Sequence, residues 1–136
     1  MSNLQNKPLV SVLMCVYNTK VEYLEEASSS ILNQTYQDIE FIIVDDGSSE
    51  QSTLAQLSNI CSRSDKVRLI RNNNNIGLTK SLNIGLKKCS GKYIARMDAL
   101  LFRRAYLAIV GIVFSINYQN LVSTSQCNVC LHLWQE

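Results

Sequence analysis

Two adjacent carboxylates, Asp45 and Asp46, follow an apolar run at residues 41–44 and precede Gly47 and Ser48. Parallel strands that are buried on both faces read as continuous apolar runs, and ligands of open α/β sheets bind beyond the carboxyl ends of such strands. Two like charges side by side are unfavourable unless a ligand donor, a cation or water compensates them. The pair therefore indicates a binding site, although Asp, Gly and Ser are equally typical of a turn or a helix cap.

A third carboxylate, Asp98, follows another short apolar run. Apolar runs of this kind alternate with segments of helical periodicity along the first hundred residues, which predicts a repeated strand and helix pattern. Successive crossovers of this length predict a parallel sheet with helices on both faces. In that arrangement Asp45, Asp46 and Asp98 are expected at one crevice. The predicted strands are residues 9–16, 39–44, 67–70 and 93–97.

Three helices are predicted between these strands from apolar residues at helical spacing. Ser48 or Ser49 is expected to cap the second helix, and Gly91 is expected to stop the third. The expected inner faces consist of Leu24, Ala27, Ile31 and Leu32 in the first helix, Leu54, Leu57 and Cys61 in the second, and Leu78, Leu82, Leu86 and Cys89 in the third.

The predicted fold class is α/β, with a doubly wound, mostly parallel, Rossmann-like sheet. The first strand is not followed by G-x-G-x-x-G, and the sequence has no G-x-x-x-x-G-K-[ST]. Both absences argue against a dinucleotide site and a P-loop triphosphate site. Another kind of nucleotide site is expected.

The composition favours one soluble globular domain. The chain has 136 residues, of which 46% are hydrophobic and 18% charged, and this composition is typical of a chain that builds a core. A net charge of +2 without a long basic run argues against a nucleic-acid partner. Residues 1–7 are polar and lack the apolar core of a signal peptide, so a cytoplasmic location is expected.

The cysteines do not predict a disulfide framework. Their number is odd and their positions are scattered, which agrees with a reducing compartment. Cys15, Cys61 and Cys89 are expected in the core. Cys127 and Cys130 form a single C-x-x-C with only His132 nearby, which is a weak signal for zinc or redox chemistry.

Five ordered segments stand out along the first hundred residues. They are Val10-Ser-Val-Leu-Met-Cys-Val-Tyr-Asn18, Ser30-Ile-Leu-Asn-Gln-Thr-Tyr36, Ile43-Val-Asp-Asp-Gly-Ser48, Asn75-Ile-Gly77 and Gly91-Lys-Tyr-Ile-Ala-Arg-Met-Asp98. Together these segments resemble family 2 glycosyltransferases, and the set is far more specific than any one segment alone. The resemblance covers about residues 8–99, whereas residues 100–136 form a divergent tail without it.

The resemblance implies a GT-A fold whose first half, present here, binds a nucleotide-activated sugar, while a later half supplies the acceptor site. It implies that Asp46 receives the nucleotide base, with Asp45 beside it, because a carboxylate can accept a hydrogen bond from a ring N–H. Tyr17 and the backbone near Cys15 are expected to line the same base. Residues 72–75 and Lys80 are expected near the ribose or diphosphate. Assembly of bacterial surface polysaccharides is a common setting for this family.

Asp98 corresponds to the first carboxylate of the family's Asp-x-Asp element, which holds Mg²⁺ or Mn²⁺ against the sugar diphosphate. In this chain Leu100 stands where the second carboxylate belongs, and leucine has no atom that ligates a hard cation. Metal binding is therefore expected to be badly weakened. The catalytic base of the family is also missing from the sequence, since Glu136 is the only acidic residue after Asp98.

Two function classes stay open at this stage. The first is a glycosyltransferase-like protein that binds a nucleotide-sugar but is catalytically incomplete as this chain. The alternative is a non-catalytic α/β nucleotide-binding or regulatory module, of which receiver-type domains are an example. Selective binding of nucleoside diphosphates distinguishes the first class from acid-labile phosphorylation of an aspartate in a receiver.

The tail has its own alternatives. Residues 105–116 are mostly apolar but fall short of the roughly 20 residues that cross a bilayer, so a buried helix or strand is expected. Arg103 and Arg104 are a faint signal for a membrane surface compared with a polybasic cluster.

The abrupt loss of resemblance at Leu100 generates the hypothesis of a shifted reading frame or a rearranged gene, with an unselected tail from Leu100 onward. Translating the coding DNA in its two other frames after the Ala99 codon tests the shifted frame, and an Asp-rich, family-like continuation is expected in one of them. If neither frame restores such a continuation, that hypothesis is wrong. The alternative is that the tail is a real element.

Overall fold

The computed structural model describes residues 9–99 and 114–115. Within these ranges, strands and helices alternate from β1 to β4 and a short strand β5 follows. The elements are β1 (Val10–Val16), α1 (Val21–Leu32), β2 (Ile39–Asp45), α2 (Gln51–Arg63), β3 (Val67–Arg71), α3 (Leu78–Leu86), β4 (Tyr93–Met97) and β5 (Phe114–Ser115).

The sheet has the order β3-β2-β1-β4-β5, in which the first four strands are parallel and β5 pairs antiparallel with β4. The predicted α/β class, parallel sheet and alternation are confirmed. β2 and β3 lie on one side of β1, and β4 lies on the other side. The order in which strands are added to the sheet therefore switches sides at β1. Such a switch point opens a crevice at the carboxyl ends of the strands. A receiver-type domain would instead have the flavodoxin-like order 2-1-3-4-5, which does not match.

Side-chain alternation on the central strands builds two cores. Val12 and Met14 of β1 join Phe41 and Ile43 of β2 in the larger core, which α1 and α2 cover. The intervening residues form the smaller core beneath α3. That core consists of Leu13, Ile42, Val44, Cys89 and Ile94, with Cys15, Ile70, Leu82 and Leu86 packed against it. Because both faces of β1 and β2 are covered, these strands read as continuous apolar runs.

Several details of the predicted helices are wrong. The helix α2 begins at Gln51 without a side-chain cap from Ser48 or Ser49. On its inner face Leu57 is buried as predicted, but Leu54 and Cys61 are only half-buried. The buried positions of α2 are Thr53, Gln56, Leu57 and Ile60. The sequence pattern missed Thr53 and Gln56 because their polar side chains are buried with hydrogen-bond partners: Thr53 donates to the carbonyl of Thr19 and Gln56 donates to the carboxylate of Glu25.

The third helix also differs from the prediction. It ends at Leu86, so Cys89 and Gly91 lie beyond it, and its first residue Leu78 is exposed rather than buried. Gly91 has a different function from the predicted helix stop. A Cβ at Gly91 would lie 2.6 Å from the backbone nitrogen of Ser11, so the absence of a side chain allows the chain to pass close to β1 before β4 begins.

Glu40 secures this approach at the amino ends of the strands. Its carboxylate accepts hydrogen bonds from the hydroxyl of Ser11, from the backbone and hydroxyl of Ser90, and from the backbone of Gly91. Burial raises the pKa of Glu40, but these hydrogen bonds outweigh it and the net shift is downward. The network fixes the start of β4 and therefore where its other end emerges.

The prediction of a strand or buried helix over residues 105–116 lies mostly outside the described residues, of which Phe114 and Ser115 form β5. No helix of the described part is long and apolar enough to cross a membrane. The Cys127–Cys130 pair and His132 also lie outside the described residues.

Candidate functional site

A cavity of about 490 Å³ opens at the carboxyl ends of the strands, next to the switch point at β1. Its walls come from the ends of β1, β2 and β4 and from the loop that leads into α3. The described residues that line it are Cys15, Val16, Tyr17, Thr19, Asp46, Asn75, Gly77, Leu78, Arg96, Asp98 and Ala99.

Asp46 is the most constrained polar side chain of the cavity. Its Oδ1 accepts hydrogen bonds from Asn72 Nδ2 and from the backbone of Ile76, each at 2.9 Å. Its Oδ2 accepts one from the backbone of Gly77, also at 2.9 Å. Asn72 in turn donates to the hydroxyl of Ser81 in α3. The carboxylate therefore ties the end of β2 to the loop before α3.

These hydrogen bonds decide the charge of Asp46. Burial raises its pKa, but the donors at Ile76, Asn72, Ser81 and Gly77 outweigh burial and hold the pKa below its usual range. Asp46 is consequently an ionised acceptor at neutral pH.

Gly47 allows the turn after β2 to approach the loop that contains Asn74 and Asn75. Its backbone has φ +76, and a Cβ there would lie 2.6 Å from the carbonyl carbon of Asn74 and 2.8 Å from the nitrogen of Asn75. A side chain at this position would therefore push the asparagine loop away from Asp46.

Asp45 lies apart from this cavity, contrary to the expectation that three carboxylates share one crevice. Phe41, Ile43 and Asp45 are alternate residues of β2 and therefore face the same side of the sheet. Asp45 thus points to the face that α1 and α2 cover, where it is fully buried. Its Oδ1 accepts the Ser48 N–H at 2.9 Å, and its Oδ2 lies 3.5 Å from Nε of Arg71. Asp45 therefore shapes the turn after β2.

The loop after β1 is held by Asn18, which sequence reasoning did not single out as a functional residue. Its side-chain Oδ1 accepts the backbone N–H groups of Ser49 and Glu50, at 2.9 and 3.1 Å, and so holds the segment that leads into α2. Its own N–H donates to the hydroxyl of Ser48. Asn18 adopts φ +44, a conformation that asparagine tolerates better than most residues. Its position directly after a buried strand was the available signal.

Tyr17, next to Asn18, is 49% exposed, and Leu78 on the other side of the cavity is 48% exposed. Both line the cavity. Two large apolar surfaces are thus left open to a ligand at its mouth. The expected core position of Leu78 concealed this role, because helical periodicity does not show whether the first turn of a helix lies over the sheet.

Cys15 lines the cavity and is half-buried, whereas it was expected in the core. Burial raises the pKa of its thiol to about 12, since the weaker attraction of Arg96 does not offset burial. The thiol is neutral at physiological pH and is therefore a poor nucleophile. Cys15 contributes surface to the cavity.

Asp98 lines the cavity as predicted for a residue at the end of β4, and its neighbour Arg96 lines it too. Nη2 of Arg96 lies 3.2 Å from Oδ1 and 3.0 Å from Oδ2 of Asp98. Sequence reasoning missed Arg96, although a lone charged residue inside an apolar strand was a usable signal. Lys80 is exposed on α3 and is not among the residues that line the cavity.

The described residues contain no group of three or more His, Cys, Asp or Glu side chains that could hold a metal ion. Leu100, which stands at the position of the second carboxylate, lies outside the described residues.

The sequence model described as Glycosyl transferase family 2 matches residues 11–99. A relative from Haemophilus influenzae, described as an uncharacterized glycosyltransferase, is 48% identical over 96 residues, which are 71% of this chain and 29% of that protein. Glycosyltransferase GlyG from Streptococcus pneumoniae is 38% identical over 95 residues, covering 67% of this chain and 30% of that protein. The match thus spans about a third or less of the length of these curated relatives.

A solved structure shares the fold. The mannosyltransferase PcManGT from Pyrobaculum calidifontis, in complex with GDP-Man and Mn²⁺, superposes with a TM-score of 0.62 at 23% identity. The superposition covers 68% of this chain and 28% of that chain. The predicted GT-A architecture of the nucleotide-binding half is confirmed at the level of the fold.

Replacing Asn18 should separate two contributions to this site. Asn18→Gly removes the side-chain hydrogen bonds to Ser49 and Glu50 but keeps the positive φ accessible, so we expect a loss of about 1 kcal/mol in the free energy of unfolding. Asn18→Ala loses the same hydrogen bonds and adds backbone strain, which costs roughly 1 kcal/mol more. Urea denaturation of the three chains measures both. Equal stability of the Gly and Ala variants would contradict the proposed strain.

The stability of the chain should depend on Asp46 at low pH. Because folding lowers the pKa of Asp46, its stabilisation is fully present above an unfolded-state pKa of about 3.9 and is lost as the pH falls through the lower folded-state value. Glu40 acts with the same sign. We therefore expect the urea midpoint to fall between about pH 5 and pH 3.

Asp46→Asn should lower stability at neutral pH and flatten that pH dependence. The exposed carboxylate of Asp65 offers a matched control. In Asp65→Asn the urea midpoint should depend on pH as it does in the unmodified chain. If the urea midpoint of Asp46→Asn changed with pH as much as that of the unmodified chain, the hydrogen bonds to the Asp46 carboxylate would not stabilise the fold.

Proposed function

The chain belongs to glycosyl transferase family 2, and from this we propose that its cavity binds the nucleotide part of a nucleotide-activated sugar. The cavity lies where ligands of open α/β sheets bind, beyond the carboxyl ends of the strands. The relatives and the fold support a donor-binding role for residues 9–99. The donor's sugar and the acceptor are left open by this proposal.

One observation carries the proposal: an ionised carboxylate lies in a cavity whose mouth has open apolar surfaces. Asp46 lines the cavity as an ionised carboxylate, and its Oδ2 accepts the backbone N–H of Gly77. A carboxylate oxygen can accept more than one hydrogen bond, so a ring N–H of a uracil or guanine base is a suitable further donor. The exposed ring of Tyr17 offers a flat surface on which such a base can stack.

Residues near Asp46 have supporting functions in this proposal. Asn72 and the backbone of residues 76–77 position Asp46, and Asn75 lines the same cavity. Cys15 adds surface to the pocket. Asp45 acts through the turn that it holds rather than through contact with the nucleotide, and Lys80 is outside the binding role proposed here.

The donor set at the other end of the cavity does not fit a divalent cation. Mg²⁺ and Mn²⁺ are held by hard oxygen ligands, with one or two carboxylates and the phosphates completing the shell. Asp98 is one carboxylate, it is already paired with Arg96, and leucine follows at position 100. We therefore derive no step through a metal ion for this chain.

The function proposed for residues 9–99 is recognition of the donor nucleotide.

Calorimetric titration of the full chain with UDP and with GDP tests this function. We expect one of them to bind, and we expect Asp46→Ala to weaken that binding by about 10-fold or more, because a hydrogen bond to a charged group contributes about 1.5–3 kcal/mol. Tyr17→Ala should weaken binding several-fold without disturbing the fold, since the side chain is exposed.

The control is Asp65→Ala, which removes an exposed carboxylate in the turn before β3. It should bind as the unmodified chain does. A folded chain that binds neither diphosphate, or binds equally well after both Asp46→Ala and Tyr17→Ala, would overturn the proposed function.

A further inference from the structure

The cavity contains a cation that no role described so far requires. Arg96 is the one Lys or Arg side chain among the described lining residues. It lies in β4 opposite Leu13 of β1 and has the parity of Ile94, so its stem starts on the face that α3 covers. Its side chain is 25% exposed. An arginine held in this position is poorly placed to serve solubility.

The partner of Arg96 is the carboxylate that the family would use for a metal. Both oxygens of Asp98 lie within 3.2 Å of Nη2 of Arg96, and the Asp98 side chain is 32% exposed. A divalent cation at Asp98 would have to displace this guanidinium or bind next to its charge. Since leucine occupies position 100, a second carboxylate does not compensate that repulsion.

The charges of Asp98 and Arg96 act differently on a diphosphate in the same cavity. Phosphate oxygens would be repelled by Asp98 alone, but the guanidinium beside Asp98 neutralises that charge. Arginine presents a planar fork of N–H donors that pairs with phosphate oxygens in a bidentate manner, and it stays charged at every physiological pH. The same side chain can therefore compensate Asp98 in the free protein and contact phosphate in the bound one.

We propose that Arg96, in place of a divalent cation, provides the positive charge for the donor diphosphate, so that this chain binds nucleoside diphosphates without metal. The inference rests on the proposed function, because it concerns the phosphate end of the same nucleotide. It assigns to Asp98 a function opposite to that of a metal ligand. Asp98 pairs with Arg96 in the free protein and competes with phosphate for it.

Titrations of the unmodified full chain provide the first test. Uridine and UDP, or guanosine and GDP, are compared in EDTA and in MnCl₂. We expect the diphosphate to bind at least 10-fold more tightly than its nucleoside, with the same affinity in both solutions to within twofold. A diphosphate that gains affinity over its nucleoside only in Mn²⁺ would overturn the inference.

Two variants give a second test. Phosphate binding by Arg96 and metal binding by Asp98 predict opposite changes in diphosphate affinity for one of them, Asp98→Asn. Arg96→Gln should reduce binding of the diphosphate to the level of the nucleoside while the nucleoside binds as before. Asp98→Asn should tighten diphosphate binding, because it removes the competitor for Arg96. If Asp98 held a metal, Asp98→Asn would weaken the binding instead.

A matched control is Arg68→Gln, since Arg68 is an exposed arginine of β3 that contacts the carbonyl of Lys88 away from the cavity. It should bind both ligands as the unmodified chain does. If Arg96→Gln fails to fold, the metal comparison and Asp98→Asn still decide the question.

The possible failures are distinguishable. Binding of the nucleoside without any gain from the diphosphate contradicts the role of Arg96 and leaves the base pocket intact. Loss of binding for nucleoside and diphosphate alike contradicts the proposed function, and the role of Arg96 with it.

Discussion

Burial of β1 and β2 on both faces is the constraint on which the rest of the structure depends. Each of these strands has helices or their side chains above and below, so a charged side chain cannot be placed along its middle without losing water. Polar chemistry is therefore confined to the strand ends. Tyr17, Asp46 and Asp98 all lie at such ends, and the switch in chain direction at β1 brings them to one cavity.

The same constraint explains how two adjacent aspartates are tolerated. Successive residues of a strand point to opposite faces, so Asp45 and Asp46 find different partners. Asp45 turns towards Arg71 and the Ser48 backbone, whereas Asp46 turns towards the loop before α3. Asp45 thus holds the turn after β2, and Asp46 lines the cavity. The sequence left a turn and a binding site as alternatives, and each aspartate serves one of them.

Charge at the far end of the cavity follows a different principle. Asp46 is stabilised as an anion by neutral donors, chiefly backbone N–H groups, which add no charge of their own. Asp98 is compensated by a full charge, that of Arg96. One end of the cavity therefore presents a net acceptor suited to a base, while the other presents a balanced ion pair that can exchange partners with an anion. This difference in compensation gives the two ends their different proposed ligands.

The amino-acid sequence by itself determined the class of fold, the four parallel strands and the edge of the sheet at which the site lies. These follow from local patterns, since apolar runs and helical spacing reflect burial that every residue of an element shares. The tertiary structure alone decided which polar side chains meet. Asn18 holds the segment that precedes α2, more than thirty positions later, as its hydrogen bond to Glu50 shows. Leu78 is open to the cavity instead of the core, and Asp46 binds the loop before α3. Such contacts depend on where a loop ends in space and on what charge lies opposite, and neither is encoded in the spacing of residues along the chain.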